Sequence, residues 1–359
     1  MIGRLRNLFG KSGNEPKAGA LAPAPQAAVA SAPAPSQEDT ADTERRLTTA
    51  VGEAERKGGD GVALGDALNM LADFMMKHRR AAEGEEVLRR VLAIEEARAP
   101  VRPDRFVMAL TNLAAATSYL GNKAAAESLY RRAAERCDGS ADIADALAVT
   151  VVENLAVLLA EDRRHADSVP FQLRGIALRE GIHGPMNEAL VIPLTNLVTI
   201  YRHLQRYADA EAALRRLIAL IERVRGPEHP DVAHQLHFLV DACFNQGHDA
   251  DAEKECRRAL AIYEKATPID LRGGAATLSN LGQILARQGR VEEAERAHKE
   301  ALLTIEVGGD ACRSAAGHVL NTYAAFLRER GRDAEAQEQT ARAAQLSAAD
   351  AQATPTQSG

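Results

Sequence analysis

The sequence predicts an all-α protein built from repeated helix-turn-helix units, and three observations support this prediction. Tryptophan is absent and aromatic residues make up only 4% of the 359 residues. Ala, Leu, Arg and Glu are abundant, and these residues favour helices because they lose little rotamer freedom there. The chain also repeats itself every 42 residues, a length that accommodates two helices and their turns.

The repeat is most visible around an Asn-Leu pair. Its asparagines lie at positions 112, 154, 196 and 280, which are separated by 42, 42 and 84 residues. The same step defines seven copies, and we call this position of the repeat the asparagine column. It is occupied in chain order by Met70, Asn112, Asn154, Asn196, Phe238, Asn280 and Thr322.

Two further columns support this register. The turn column contains several glycines, as expected where a helix ends in a left-handed residue: Arg79, Gly121, Arg163, Gln205, Gly247, Gly289 and Gly331. Five residues later comes a column of small side chains, which allow neighbouring helices to approach closely: Gly84, Ala126, Ser168, Ala210, Ala252, Ala294 and Ala336. The pattern predicts a right-handed α-solenoid of seven repeats, in which no copy folds alone.

Surface ion pairs are predicted on the second helix of several repeats. Arg follows Glu by four residues at Glu85 and Arg89, Glu127 and Arg131, Glu211 and Arg215, and Glu253 and Arg257. Pairs at this spacing lie on the same side of a helix and stabilise it by a few tenths of a kcal/mol.

The segments outside the repeats differ in composition. We expect a basic N-terminal segment with a disordered Pro/Ala-rich linker, a capping helix, seven repeats and a disordered tail, at residues 1–38, 39–61, 62–348 and 349–359. Residues 1–11 combine Ile2, Leu5, Leu8 and Phe9 with three basic side chains. This segment either is disordered or makes weak contact with an anionic membrane surface or a partner groove.

Charge and motif content exclude several functions. The 44 basic and 50 acidic residues give a net charge of −6, which does not indicate nucleic-acid binding. The four cysteines form no C-x-x-C pair, and His234 with His237 lacks further ligands, so we expect no metal site. No nucleotide-binding or nucleophile motif is present, so we expect no enzyme, no catalytic residue and no cofactor. With no apolar signal segment or transmembrane stretch, we expect a cytoplasmic protein.

The repeat resembles a known family. The pattern L-x-N-L-A, followed by a Gly turn and A-E-x-x-x-R-R, resembles the tetratricopeptide repeat, in particular the 42-residue variety of kinesin light chains. Residues 226–233, Gly-Pro-Glu-His-Pro-Asp-Val-Ala, resemble the G-x-x-H-P-x-V-A linker of that variety. The resemblance covers residues 62–348, but the kinesin-binding coiled coil has no counterpart in residues 1–60, so a motor-adaptor role is not implied.

The resemblance implies a non-enzymatic interaction scaffold that binds an extended peptide or a protein in a concave groove. In some members an asparagine ladder holds the peptide backbone, and the matching residues here are Asn112, Asn154, Asn196 and Asn280. Asparagine suits this role because its side chain both donates and accepts a hydrogen bond. The alternative is that these asparagines simply face water.

Basic and imidazole side chains beside this column led us to a hypothesis about the partner. An acidic segment or a free C-terminal carboxylate would be favoured by Arg202, His203, His234, His237 and Arg287, and binding would strengthen as the pH falls through about 6.5. A solvated surface of mixed charge is the competing interpretation. A self-assembling or membrane-tethered structural scaffold is the alternative function, and the sequence does not determine the oligomeric state.

Overall fold

The computed structural model describes residues 37–58, 61–98, 100–138 and 143–353. The predicted basic segment and most of the predicted linker, residues 1–36, lie outside the described residues, as do residues 354–359. Within the described ranges the secondary structure consists of α-helices and 3-10 turns, without a strand. The all-α fold class is therefore confirmed. None of the described helices is both long and apolar enough to span a membrane.

The chain divides into two compact units between Pro193 and Leu194. In the N-terminal unit, helix α1 packs against α2, and the antiparallel pairs α2–α3, α4–α5 and α6–α7 follow. The bounds of these helices are α1 Gln37–Lys57, α2 Val62–Lys77, α3 Ala81–Ala97, α4 Pro103–Tyr119, α5 Lys123–Asp138, α6 Asp145–Glu161 and α7 His165–His183.

In the C-terminal unit, the antiparallel pairs α10–α11, α12–α13 and α14–α15 follow helices α8 and α9. A 3-10 turn at Glu188–Leu190 precedes α8, whose first residues lie before the division, and a second at Gly309–Cys312 precedes α14. The bounds are α8 Val191–His203, α9 Tyr207–Arg225, α10 Pro230–Asn245, α11 Asp249–Lys265, α12 Leu271–Arg287, α13 Val291–Gly308, α14 Arg313–Arg328 and α15 Asp333–Ala353.

Helix α15 extends into the segment for which a disordered tail was predicted. Residues 349–353 continue this helix. The physical reason is composition, because this stretch contains alanine, which has the highest helix propensity of all residues.

The turn column adopts the predicted backbone conformation. All seven of its residues have positive φ angles, from 55° at Gln205 to 86° at Gly121. The following N–H groups donate to carbonyls five residues earlier, as Arg290 does to Leu285 at 2.9 Å. These bonds satisfy carbonyls that a helix end leaves without a partner. Arginine and glutamine at three of the turns accept a conformation that glycine adopts more readily.

The column of small side chains is buried, as predicted. Six of its seven members are 0% exposed, and Gly84 is also buried. The hydroxyl of Ser168 donates to the carbonyl of Ala156 at 2.8 Å, so this buried polar group has a partner. Large side chains would separate the paired helices here, so the column explains how each pair packs closely.

Candidate functional site

The asparagine column lies on the first helices of the pairs. Asn112 and Asn154 belong to α4 and α6 of the N-terminal unit, and Asn196 and Asn280 belong to α8 and α12 of the C-terminal unit. All four asparagines are half-buried. Within each unit, first helices of consecutive pairs contact each other, as α4 does with α6 and α12 with α14. Each unit therefore presents a face made of first helices.

In the N-terminal unit, both asparagines contact other side chains. The Nδ2 of Asn112 donates to the Oδ1 of Asn69 at 3.3 Å. Asn154 forms a hydrogen bond with the hydroxyl of Tyr130, and burial raises the pKa of this hydroxyl to about 12. Such a phenol is neutral at physiological pH, so both contacts are between uncharged groups.

In the C-terminal unit, Asn280 lies between two histidines. Its Nδ2 is 3.5 Å from the Nδ1 of His237, and its Oδ1 is 2.9 Å from the Nε2 of His318. His237 belongs to α10 and His318 to α14, so the side chain of Asn280 connects three consecutive first helices.

The contacts of this column follow a spacing that sequence reasoning missed. Asn69 precedes Asn112 by 43 residues, and His237 precedes Asn280 by the same number. Ser279 and Thr322 repeat this spacing with a hydroxyl-hydroxyl contact. In these three places the residue just before the asparagine column therefore contacts the column residue of the next repeat. Listing the residues at this offset would have revealed the candidate partners.

The two predicted arginines of this face already have carboxylate neighbours. The Nε of Arg202 is 3.6 Å from the Oδ2 of Asp241, and its guanidinium lies 4.3 Å from the ring centroid of Phe238. Arg287 donates from Nε to the Oδ2 of Asp249 at 2.9 Å and forms a second bond with that carboxylate.

Arg287 makes two further contacts, both with Phe244. It donates to the Phe244 carbonyl at 2.7 Å, and its guanidinium lies 3.5 Å from the Phe244 ring centroid. These contacts fix its orientation. Because Asp249 also balances its charge, Arg287 adds less positive potential to the surface than its sequence position suggests.

The three predicted histidines occupy different environments. His203 is exposed at the last residue of α8, and the exposed ring of His234 lies edge-on to Phe238 at a centroid distance of 5.0 Å. His237 is half-buried. Burial, more than the neighbouring charges, lowers the pKa of His237 below its ordinary value.

Two adjoining clefts open on the face formed by α10, α12 and α14. The first, of about 220 Å³, is lined by Asp241, Asn280, His318 and neighbouring residues. The second, of about 450 Å³, is lined by Arg287, Glu329 and other residues. Phe244 and Gln283 line both clefts, and sequence reasoning did not select them. Their positions, three or six residues after the asparagine column, were the available signal.

The described part of the chain contains no candidate metal site. No group of three or more His, Cys, Asp or Glu residues is placed there to hold a metal ion. The four cysteines are free thiols, and three of them, Cys243, Cys256 and Cys312, are buried. Burial raises the pKa of each buried thiol, to about 11 for Cys243, so these groups remain protonated.

Comparison with protein families identifies the class. Residues 190–265, 107–137 and 275–307 match models of the tetratricopeptide repeat. These three stretches therefore carry tetratricopeptide repeats, the repeat that the sequence pattern resembles. No curated protein matches the sequence.

Several solved structures are similar to the chain. BtubC (BKLC) from P. vanneervenii is 22% identical, with 64% of this chain and 90% of that chain covered and a TM-score of 0.46. A kinesin-light-chain-like protein with nearly identical TPR-like repeats from Podosopora anserina is 17% identical, with 56% and 95% covered and a TM-score of 0.45. The C-terminal part of a TPR repeat-containing protein from Cytophaga hutchinsonii is 12% identical, with 75% and 92% covered and a TM-score of 0.49.

Proposed function

We propose that the chain binds an extended peptide, or an extended segment of a partner protein, on the faces formed by its first helices. Asn112 and Asn154 would contact the peptide backbone in the N-terminal unit, and Asn196 and Asn280 in the C-terminal unit. The observation that carries this proposal is the position of Asn280, a half-buried amide that lines a cleft of about 220 Å³. An amide at such a position can bond the N–H or C=O of any peptide unit, whatever the peptide's side chains.

Two of these asparagines already contact other side chains of the protein in the absence of a partner. Asn112 is bonded to Asn69, and Asn280 lies between His237 and His318. A bound peptide must therefore replace these contacts with its own. Since each exchanged hydrogen bond contributes roughly 0.5 to 1.5 kcal/mol net, we expect affinities of order micromolar rather than nanomolar.

An acidic partner was the hypothesis drawn from Arg202, His203, His234, His237 and Arg287. Arg202 and Arg287 each have a carboxylate neighbour, and burial lowers the pKa of His237. At neutral pH these three groups therefore attract an acidic peptide less strongly than a cluster of unpaired, charged side chains would. We retain the peptide as ligand and expect its backbone and shape, more than its charge, to govern binding at neutral pH.

Selection of peptides by the full chain tests this proposal. A peptide library is panned against the full-length protein, and the affinities of selected peptides are measured by fluorescence anisotropy. We expect Asn112→Ala or Asn280→Ala, depending on which unit the peptide occupies, to weaken binding about three- to tenfold. Gln337→Ala is the matched control, because this amide is exposed on the second helix of the last pair.

Two results would contradict the proposal. Failure to select any binding peptide would argue against extended-segment recognition. Equal affinity of a selected peptide for the parent and all asparagine variants would remove the asparagine column from the binding site. Light scattering of the same samples shows whether the binding species is a single chain or an assembly.

A further inference from the structure

The side-chain amide of Asn280 lies between two titratable rings. Its Nδ2 faces the Nδ1 of His237 at 3.5 Å, and its Oδ1 faces the Nε2 of His318 at 2.9 Å. An amide has one end that donates and one that accepts. The two histidines therefore play opposite roles towards it.

The donor end of the amide favours the neutral form of His237. Because the amide nitrogen only donates, the Nδ1 of His237 must offer a lone pair, so this ring is neutral when the contact forms. A protonated His237 would point an N–H at the N–H₂ of Asn280, and the two donors would repel. The Oδ1 of Asn280 accepts from the Nε2–H of His318, and this bond tolerates a charged ring.

The groups around His237 decide when it becomes charged. His234 and Asp241 lie on its own helix, Arg202 on α8 and His318 on α14. Burial has the largest effect and lowers the pKa of His237, and the positive charges of His318, His234 and Arg202 act in the same direction. Asp241 acts against them. The ring is therefore neutral at physiological pH and gains its proton below about pH 6.5.

The N-terminal unit offers a contact of the same spacing without a titratable group. The Nδ2 of Asn112 donates to the Oδ1 of Asn69, which occupies the position that His237 has relative to Asn280. Neither amide changes charge with pH. The two units thus provide a titratable and a non-titratable version of the same contact.

We propose that His237 and His318 are positioning residues that keep the amide of Asn280 turned towards them at neutral pH, and that protonation of His237 releases this amide for a bound peptide backbone. This inference rests on the proposed function of Asn280. Its consequence is that peptide binding by the C-terminal unit strengthens on acidification, whereas binding at Asn112 is independent of this switch. The released amide lines the cleft of about 220 Å³, beside Asp241 and Gln283.

The first experiment needs no ligand. Histidine ring signals of the full-length protein are followed by NMR as a function of pH, and His237→Gln and His318→Gln assign the two signals. Asn280→Ala removes a donor that favours neutral His237 and an acceptor that favours charged His318. We therefore expect the titration midpoint of His237 to rise and that of His318 to fall. Simple loosening of the helices would hydrate both rings and raise both midpoints.

A second variant tests the same coupling in the other direction. Asn280→Asp places a carboxylate beside both rings, so we expect both midpoints to rise, by about one pH unit or more for His237. Asn112→Asp is the matched control in the N-terminal unit and should leave both midpoints unchanged. If neither Asn280 variant moves the midpoint of His237, the two residues are not coupled and the inference is wrong.

The last experiment tests release of the amide. A peptide selected as described above, and weakened by Asn280→Ala, is titrated against the parent and His237→Gln at neutral pH and at about pH 5.5. We expect the affinity of the parent to rise several-fold at the lower pH. His237→Gln should show no such rise, because the glutamine carbonyl accepts from Asn280 at every pH. A parent affinity that is flat or falls would overturn the release step, even where peptide binding itself is established.

Discussion

The carboxylate of Glu95 and the guanidinium of Arg105 form an ion pair that connects α3 to α4 in the N-terminal unit. The Nε of Arg105 lies 3.1 Å from the Oε1 of Glu95, whose side chain is 2% exposed. Arg98 donates to the same carboxylate at 2.9 Å, and Arg105 extends the network to Asp66 at 2.6 Å. A charge buried this completely depends on its partners, because it has lost its hydration.

We expect Glu95→Ala to destabilise the N-terminal unit by about 3 kcal/mol, because it leaves two guanidinium groups without their shared carboxylate. Urea unfolding followed by circular dichroism measures this loss. The control is the neighbouring Glu96→Ala, whose ion pair with Arg132 is about half exposed on both sides and should cost less than about 1 kcal/mol. Equal losses for the two variants would contradict the special role of the buried pair.

Replacing either of two helical glycines of the C-terminal unit by alanine should change stability, but in opposite directions. A Cβ on Gly282 would lie 2.7 Å from the buried ring of His298, whereas a Cβ on Gly317 would meet nothing within 4 Å. We therefore expect Gly282→Ala to destabilise by about 1 to 3 kcal/mol through overpacking. Gly317→Ala should stabilise by roughly 0.5 to 1 kcal/mol, because alanine favours the helix. Thermal unfolding of both variants beside the parent checks the two signs.

The turn column and the column of small side chains could be predicted from the sequence because each depends only on the local geometry of a helix pair. A left-handed residue must end the first helix, and a small residue must lie where paired helices approach. The predicted ion pairs four residues apart are also present, for example between Arg131 and Glu127 at 2.9 Å. These requirements act within one repeat, so their signal recurs every 42 residues.

Contacts between repeats were harder to predict. Arg290 donates to Glu253 of the preceding repeat at 2.8 Å, and Arg332 does the same to Glu295 at 2.9 Å. Both arginines directly follow a turn-column residue, so their sequence signal existed. The partners of Arg287 and Asn280 had a weaker signal, because they depend on which side chains of three helices meet. Charge counted along the sequence therefore overestimated how basic the face is.

Removing the carboxylate neighbour of Arg287 should create the acidic preference that the sequence predicted. In Asp249→Asn the guanidinium keeps its contacts with Phe244 and loses its counter-charge, so we expect tighter binding of a fluorescein-labelled hexaglutamate probe at low ionic strength. Fluorescence anisotropy measures the affinity. Asp251→Asn, an exposed position on the same helix, changes the net charge equally and should have a smaller effect. A larger gain for Asp251→Asn would mean that net charge, not Arg287, attracts the probe.

The imidazole of His298 should make the stability of the C-terminal unit depend on pH. This ring is 0% exposed, stacks on Tyr323 at 5.4 Å, and neither of its nitrogens has a hydrogen-bond partner. Burial lowers its pKa from 6.5 to about 4. Below pH 6.5 the unfolded chain binds a proton at this histidine, whereas the folded unit does not. The free energy of unfolding therefore has its full value above that pH and falls as the pH drops towards 4.

A single such group changes stability by at most about 1.4 kcal/mol per pH unit within this window. Leucine occupies the equivalent position in other repeats, at Leu88 and Leu214, so His298→Leu is a tolerable substitution. We expect this variant to lose less stability than the parent between about pH 6.5 and pH 4, as measured by thermal unfolding at each pH. Tyr323→Phe keeps the stacked ring and should retain the parent's slope. If parent and His298→Leu have the same slope, the folded protein binds a proton at His298 as readily as the unfolded chain does, and this prediction is wrong.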